Sequence, residues 1–287
     1  MEISTSLNLF CNTNWEYTKI IDAGIEAGFR CFDLNVNDYC NLPNSFLLRE
    51  NWRQEMEIIR DHAKMRGVRF YQSHAYIPYP PNAPAEEIDF FNRRTIEAAS
   101  IAGAEWIVIH PAFFEEEPKV CYQKNLETFR SLAEFAKKCS IGLAIENLPG
   151  RIQYRDHLEI YPFTTAEDLI SLIDPLNEEF GNVGACWDTG HAALTLNMAP
   201  QAGEIRRLGH RLKTLHIADN NGNFDDHLPP FYCRVDFKEI VGALREIGFA
   251  GTFNFEAHNC CNKMPDELRV DAARMLYRIG EYIVTHY

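Results

Sequence analysis

The chain has 287 residues, a length that α/β barrels commonly occupy as one domain, and no apolar run reaches the roughly 18 residues of a membrane-spanning helix. Acidic residues outnumber basic ones by 41 to 28, for a net charge of −13. That balance opposes a surface built to grip a phosphate backbone and favours metal cations or small neutral molecules as ligands.

Apolar alternation predicts a first strand at 2–9, and helical spacing predicts a helix at 17–27 that stops at Gly28. A strand at 30–36, a helix at 51–65 and a strand at 68–72 leading into Ser73-His74 follow. The prolines of 78–84 remove donors and fix backbone angles, which predicts a rigid loop. A helix at 85–102 stops at Gly103, and a strand at 106–109, a long helix at 119–138 and a strand at 141–145 come next. Beyond a long loop at 147–162, Thr164-Thr165-Ala166-Glu167 has capping-box character and opens a helix to about residue 173. A strand at 183–187 ends in Asp188, with Thr189-Gly190 read as a turn before His191. The rest is a helix at 202–208, a strand at 213–217, a helix at 237–247, a strand at 252–255 and a last helix at 265–284 with Pro265 in its first turn.

Strand then helix thus recurs about eight times without a compositional break, which predicts a (β/α)8 TIM barrel with residues 1–287 as a single domain. No glycine-rich dinucleotide fingerprint or phosphate loop follows any strand, so no nucleotide cofactor is expected. Nine scattered cysteines, of which only Cys260 and Cys261 are close and those too tight for a routine bridge, point to a reduced protein. With no leader pattern at the N-terminus, the expected compartment is the cytoplasm.

Several of these strands end in a group that can bind a metal or move a proton. Ile107-Val108-Ile109 ends at His110, Leu143-Ala144-Ile145 at Glu146, Thr214-Leu215 at His216 and Phe253-Asn254-Phe255 at Glu256. A barrel builds its site from the C-terminal strand ends, so closure is expected to gather Glu146, Asp188, His216 and Glu256. Three carboxylates and one imidazole suit a divalent ion of intermediate hardness, such as Mn2+, Zn2+, Co2+ or Mg2+. His74, His110, His191, Asp225 and His227 form an outer set of substrate donors or ligands for a second ion. The other histidines (His62, His157, His210, His258 and His286) are read as solvated or locally bonded. Phe10, Trp15, Tyr39, Tyr76, Phe113, Phe114 and Trp187 lie near the same edge, as pocket walls or as core, with Lys119, Asn147 and Arg151 as further polar contacts.

In this order, His74, His110, Glu146, Asp188-Thr189-Gly190-His191, His216-Ile217-Ala218-Asp219, Asp225-x-His227 and Glu256 resemble the xylose isomerase-like barrel superfamily from first strand to last. The resemblance implies a metal-dependent sugar or sugar phosphate isomerase or epimerase. In it one divalent ion is held by Glu146, Asp188, His216 and Glu256. Glu146 and Glu256 move protons on opposite faces of a keto-sugar through a metal-stabilised enediolate, and His191 contacts the sugar oxygens. The implied partner is a small sugar or polyol, without nucleic acid or membrane, and with room for a homo-oligomer. An inosose-dehydratase-type lyase is one alternative. An endonuclease IV-like phosphodiesterase is another, since all nine ligand types of its three zinc ions stand here in order; the net charge of −13 opposes it.

Overall fold

Short buried strands alternate with amphipathic helices in the computed structural model, which describes the backbone of residues 1–11, 13–36, 45–77, 83–112, 116–153 and 158–287, with side chains outside 151–160. The strands are β1 (Ile3–Ser6), β2 (Cys31–Asn35), β3 (Arg69–His74), β4 (Trp106–Ile109), β5 (Gly142–Glu146), β6 (Arg151–Gln153), β7 (Leu158–Ile160), β8 (Val183–Asp188), β9 (Leu212–His216) and β10 (Phe253–Phe255). Between them run α1 (Tyr17–Ala27), α2 (Trp52–Met65), α3 (Ala85–Ala102), α4 (Pro118–Lys138), α5 (Ala166–Glu179), α6 (Thr189–Thr195), α7 (Ala202–Leu208), α8 (Phe237–Glu246) and α9 (Asp266–His286). Eight strands form one parallel sheet in the order β10-β1-β2-β3-β4-β5-β8-β9. Ile217 closes it: its N–H donates to Asn254 O at 2.8 Å, and its carbonyl accepts from Glu256 N at 3.1 Å. The expected (β/α)8 barrel is the observed fold.

The longer helices each lay one apolar stripe on the barrel. In α2 the buried residues are Trp52, Met56, Ile59 and Ala63, spaced at three and four. Alternation along the strands splits the sheet into two faces. Ile107, Ile109, Leu143, Ile145 and Ala185 join the large core beneath the helices, whereas Val108, Ala144 and Cys186 form a separate small cluster. The barrel interior on the opposite side is polar: Ser4 bonds Thr252 (3.2 Å), and Gln72 donates to Asp33 (3.1 Å). Among the described residues no helix is long and apolar enough to cross a membrane.

The structure departs from the sequence reading in six places. The first strand ends at Ser6, whose Oγ accepts from Asn8 N and starts a 3-10 turn over Leu7–Phe10. The 147–162 segment contains the antiparallel pair β6–β7 rather than only loop. Helix α5 runs past residue 173 and through Pro175 to Glu179. Pro175 cannot donate to the Ser171 carbonyl one turn back, and the Tyr122 hydroxyl of α4 donates to it instead at 3.0 Å. The capping box is formed by Thr165 and Asp168, one residue on from the expected pair Thr164 and Glu167. Thr189-Gly190 is the first turn of α6 rather than a free turn, because Asp188 caps that helix. Pro265 stands just before α9 as its N-cap, and residues 78–82 of the proline-rich stretch lie outside the described residues.

Helix α1 approaches β2 closely at Gly24, where an added Cβ would sit 2.5 Å from the ring of fully buried Phe32. Gly24→Val is therefore expected to destabilise the fold by about 1–3 kcal/mol in urea unfolding. Unchanged stability would show that the α1–β2 contact yields.

Candidate metal centre

Glu146, Asp188 and His216 are the last residues of β5, β8 and β9, and Glu256 follows β10 directly. One ligand-capable atom from each lies within 4.8 Å of all the others. Three of the four are wholly buried; Glu256, 8% exposed, is the member nearest solvent. Asp188 Oδ1 accepts from His191 N (2.6 Å), while Oδ2 is buried without a hydrogen-bond partner. A buried carboxylate oxygen left over in a three-oxygen, one-nitrogen set fits a divalent cation of intermediate hardness.

The strand ends are locked into place by short polar links. Asn147 accepts from Asp188 N (2.7 Å) and donates to Asp188 O (3.1 Å), fixing β5 against β8. Thr189 Oγ1 donates to Ala218 O (2.8 Å) and accepts from Ala218 N (3.0 Å), fixing β8 against β9. A Cβ at position 190 would lie 3.2 Å from Asp188 Oδ1 and 3.4 Å from Asn220 Nδ2, so a larger residue there presses on the Asp188 carboxylate.

Around this centre stand the five outer groups. His110 Nε2 is 3.0 Å and His74 Nε2 3.3 Å from Glu146 Oε2. His191 donates through Nδ1 to Asn147 O (2.8 Å) and places Nε2 3.3 Å from Asp225 Oδ2. His227 Nε2 is 3.0 Å from the same oxygen, and its Nδ1 bonds Glu256 O at 3.0 Å. Burial pushes the Asp188 carboxyl up to about 7, despite the opposing pull of His191. Burial also works against charge on His191, but Asp188 and Asp225 hold its pKa well above the ordinary imidazole value. His227, likewise buried, is raised to about 10 by Asp225. His110 is pulled down by burial, which its bond to Glu146 does not offset.

A family model described as the xylose isomerase-like TIM barrel matches residues 21–279, nearly the whole chain. The chain belongs to that family. Two relatives are the protein MJ1311 of Methanocaldococcus jannaschii and the protein y4fM of Sinorhizobium fredii, each 29% identical over 171 residues. The matches cover 58% of this chain and 55% of MJ1311, and 57% and 50% for y4fM. The chain thus spans about half the length of the curated relatives it matches. Among solved xylose isomerase-like barrels, the IolI protein with a binding zinc atom superposes with a TM-score of 0.76 at 15% identity, covering 100% of this chain and 99% of that one. A D-psicose 3-epimerase with D-tagatose from Clostridium cellulolyticum H10 gives 0.75 at 15% identity, covering 99% of both chains. A D-tagatose 3-epimerase-like protein gives 0.73 at 20%, covering 99% and 98%. At these identities the likeness is one of fold.

The barrel brings His74, His110, Glu146, Asp188, His191, His216, Asp225, His227 and Glu256 to one mouth. Of the histidines set aside from sequence, His62 bonds Asp22, His286 stacks on Tyr282 and His210 is exposed. His157 lies outside the described residues. His258 is different: its ring centroid is 4.3 Å from that of His227, and its Nδ1 is buried without a partner. Burial and the charge of His227 push it down to about 4. The aromatic residues divide otherwise than a pocket wall would. Phe10, Tyr76 and Trp187 belong to the core, Trp187 bonds Gln201, and Trp15 stacks on Phe10. Tyr39, Phe113 and Phe114 lie outside the described residues, as does the Arg151 side chain. Lys119 is exposed on α4 and Asn147 is a clamp between strands. Sequence reasoning passed over Asp33, buried 3.4 Å from His216 Nε2; its one signal is an acid inside the strand Cys31–Asn35.

If Asp188 is a ligand, an incoming ion must displace its proton, and binding then weakens as pH falls through about 7. The metal-free protein is expected to bind Co2+ about tenfold more weakly at pH 6 than at pH 8 in calorimetric titration. A flat profile would show that Asp188 is not a ligand.

Proposed function

We propose that this chain is a divalent-metal-dependent sugar isomerase or epimerase that moves a proton on a carbon next to a carbonyl. The observation that carries the reading is the convergence of Glu146, Asp188, His216 and Glu256 around an unpartnered Asp188 oxygen. A C–H beside a carbonyl is a very weak acid, so charge must be stabilised as the proton leaves. When bound, a divalent ion supplies Lewis-acid stabilisation of the oxygens that take up that charge.

The chain's own residues supply the rest. Glu146 is enclosed by His74, His110 and His216, and burial is outweighed there by His216 and His110, which hold its carboxyl well below the usual range. Those imidazoles keep it ionised, the form a general base holds before it takes a proton. Glu256, nearer solvent, is the group that exchanges its proton with water. His191 is fixed through Nδ1 by the Asn147 carbonyl, so its Nε2 is free to serve a substrate oxygen once Asp225 gives way. The names of the similar solved barrels, a D-psicose 3-epimerase and a D-tagatose 3-epimerase-like protein, support a small keto-sugar as the substrate class.

His74 and His110 pack against Glu146, and His191 and His227 against Asp225 beside it; this outer set supports a second reading with more than one ion and phosphodiester cleavage. The net charge of −13 weighs against a DNA substrate. Metal content separates the two: about one ion per chain supports sugar chemistry, about three with nicking of an abasic duplex supports the second.

Keto-sugars, their phosphates and inososes incubated in D2O with Mn2+ or Co2+ are expected to yield one substrate that gains deuterium at carbon without losing water. Glu146→Gln and Glu256→Gln should each lower that rate by about 100-fold or more with circular dichroism unchanged. Activity retained in either variant overturns the mechanism.

A further inference from the structure

We propose that Asp33 is the positioning residue for His216, fixing the imidazole so that Nδ1 faces the metal centre and the Nε2 proton faces β2. This rests on the reading of Glu146, Asp188, His216 and Glu256 as a metal centre. Asp33 sits in the middle of β2, 1% exposed, between Phe32 and Leu34, which face the core beneath the helices. Its carboxylate therefore points into the barrel. There Oδ2 accepts from Gln72 Nε2 (3.1 Å) and Asn254 Nδ2 (3.4 Å), and Oδ1 has no partner. Gln72 Nε2 also donates to Leu215 O (3.3 Å), which ties this support to the strand that carries His216.

His216 shows the complementary arrangement. Its Nδ1 lies 2.8 Å from Glu146 Oε1 and 3.3 Å from Glu256 Oε2, at the centre. Its Nε2 is buried, makes no hydrogen bond, and stands 3.4 Å from Asp33 Oδ2. The ring of His74 stacks on it at 5.5 Å and limits its rotation. A neutral imidazole carries one N–H, and an ion at the centre requires the lone pair on Nδ1. The proton must then sit on Nε2, and Asp33 Oδ2, 3.4 Å away, is the acceptor placed to receive it. Carboxylates that bond the far nitrogen of a ligating histidine fix its tautomer and raise its basicity.

The test uses the full-length protein labelled with 15N-histidine and loaded with Zn2+. Long-range 1H–15N spectra should show His216 protonated at Nε2 and metal-bound at Nδ1; the opposite tautomer overturns the assignment without recourse to any variant. Asp33→Asn and Asp33→Ala should bind Co2+ about 10–100-fold more weakly than the unsubstituted chain. His216→Ala should lose the ion altogether. Asp33 variants that bind Co2+ as tightly as the native chain overturn the role of Asp33 and leave the metal centre standing. A native chain that binds no Co2+, or a His216→Ala variant that still binds it fully, overturns the metal centre itself.

Discussion

Carboxylates crowded into a nearly dry barrel mouth are the constraint around which this molecule is arranged. Glu146 and Asp188 are wholly buried, Glu256 nearly so, and Asp225 lies at their rim. Anions taken out of water are costly unless paired, and like charges in contact raise the cost. Five imidazoles share the load: His74, His110 and His216 surround Glu146, while His191 and His227 hold Asp225. The opposed shifts follow from this, with Asp188 driven toward protonation and His191 held in its charged form. One electrostatic arrangement thus sets an unpartnered carboxylate oxygen of Asp188 beside a charged imidazole in the same mouth.

The barrel was legible in the sequence because its signals are local and repeated. Apolar runs mark the strands, the stops at Gly28 and Gly103 fall where the chain takes a positive φ, and helix α3 occupies the residues its spacing predicts. The departures come from contacts that no local window contains. Helix α5 survives Pro175 because a tyrosine on the neighbouring helix takes over the stranded carbonyl. The 147–162 segment reads as loop because strands of three residues are too short for alternation to register.

Much the same division holds for the site. Glu146, Asp188 and His216 were readable because each ends a buried strand, and a barrel gathers strand ends. Asp33 was not, since it lies within β2, and only the sheet register places it beside His216. His258 was misread for a related reason: a short 3-10 turn after β10 folds it back onto His227. Asn147 reads from sequence as a further polar contact near the mouth, yet both ends of its amide are spent on Asp188.

The seam between β9 and β10 differs from the other joints of the cylinder. β2 and β3 pair through five residues on each strand, whereas β9 and β10 are joined through Ile217 alone among the described residues. His216 precedes that residue, and Glu256 donates its own backbone N–H to it. Two of the four converging side chains therefore straddle the weakest stave of the hoop. Anything that draws His216 and Glu256 together also cinches the cylinder shut, so occupancy of the mouth and integrity of the wall become a single mechanical event.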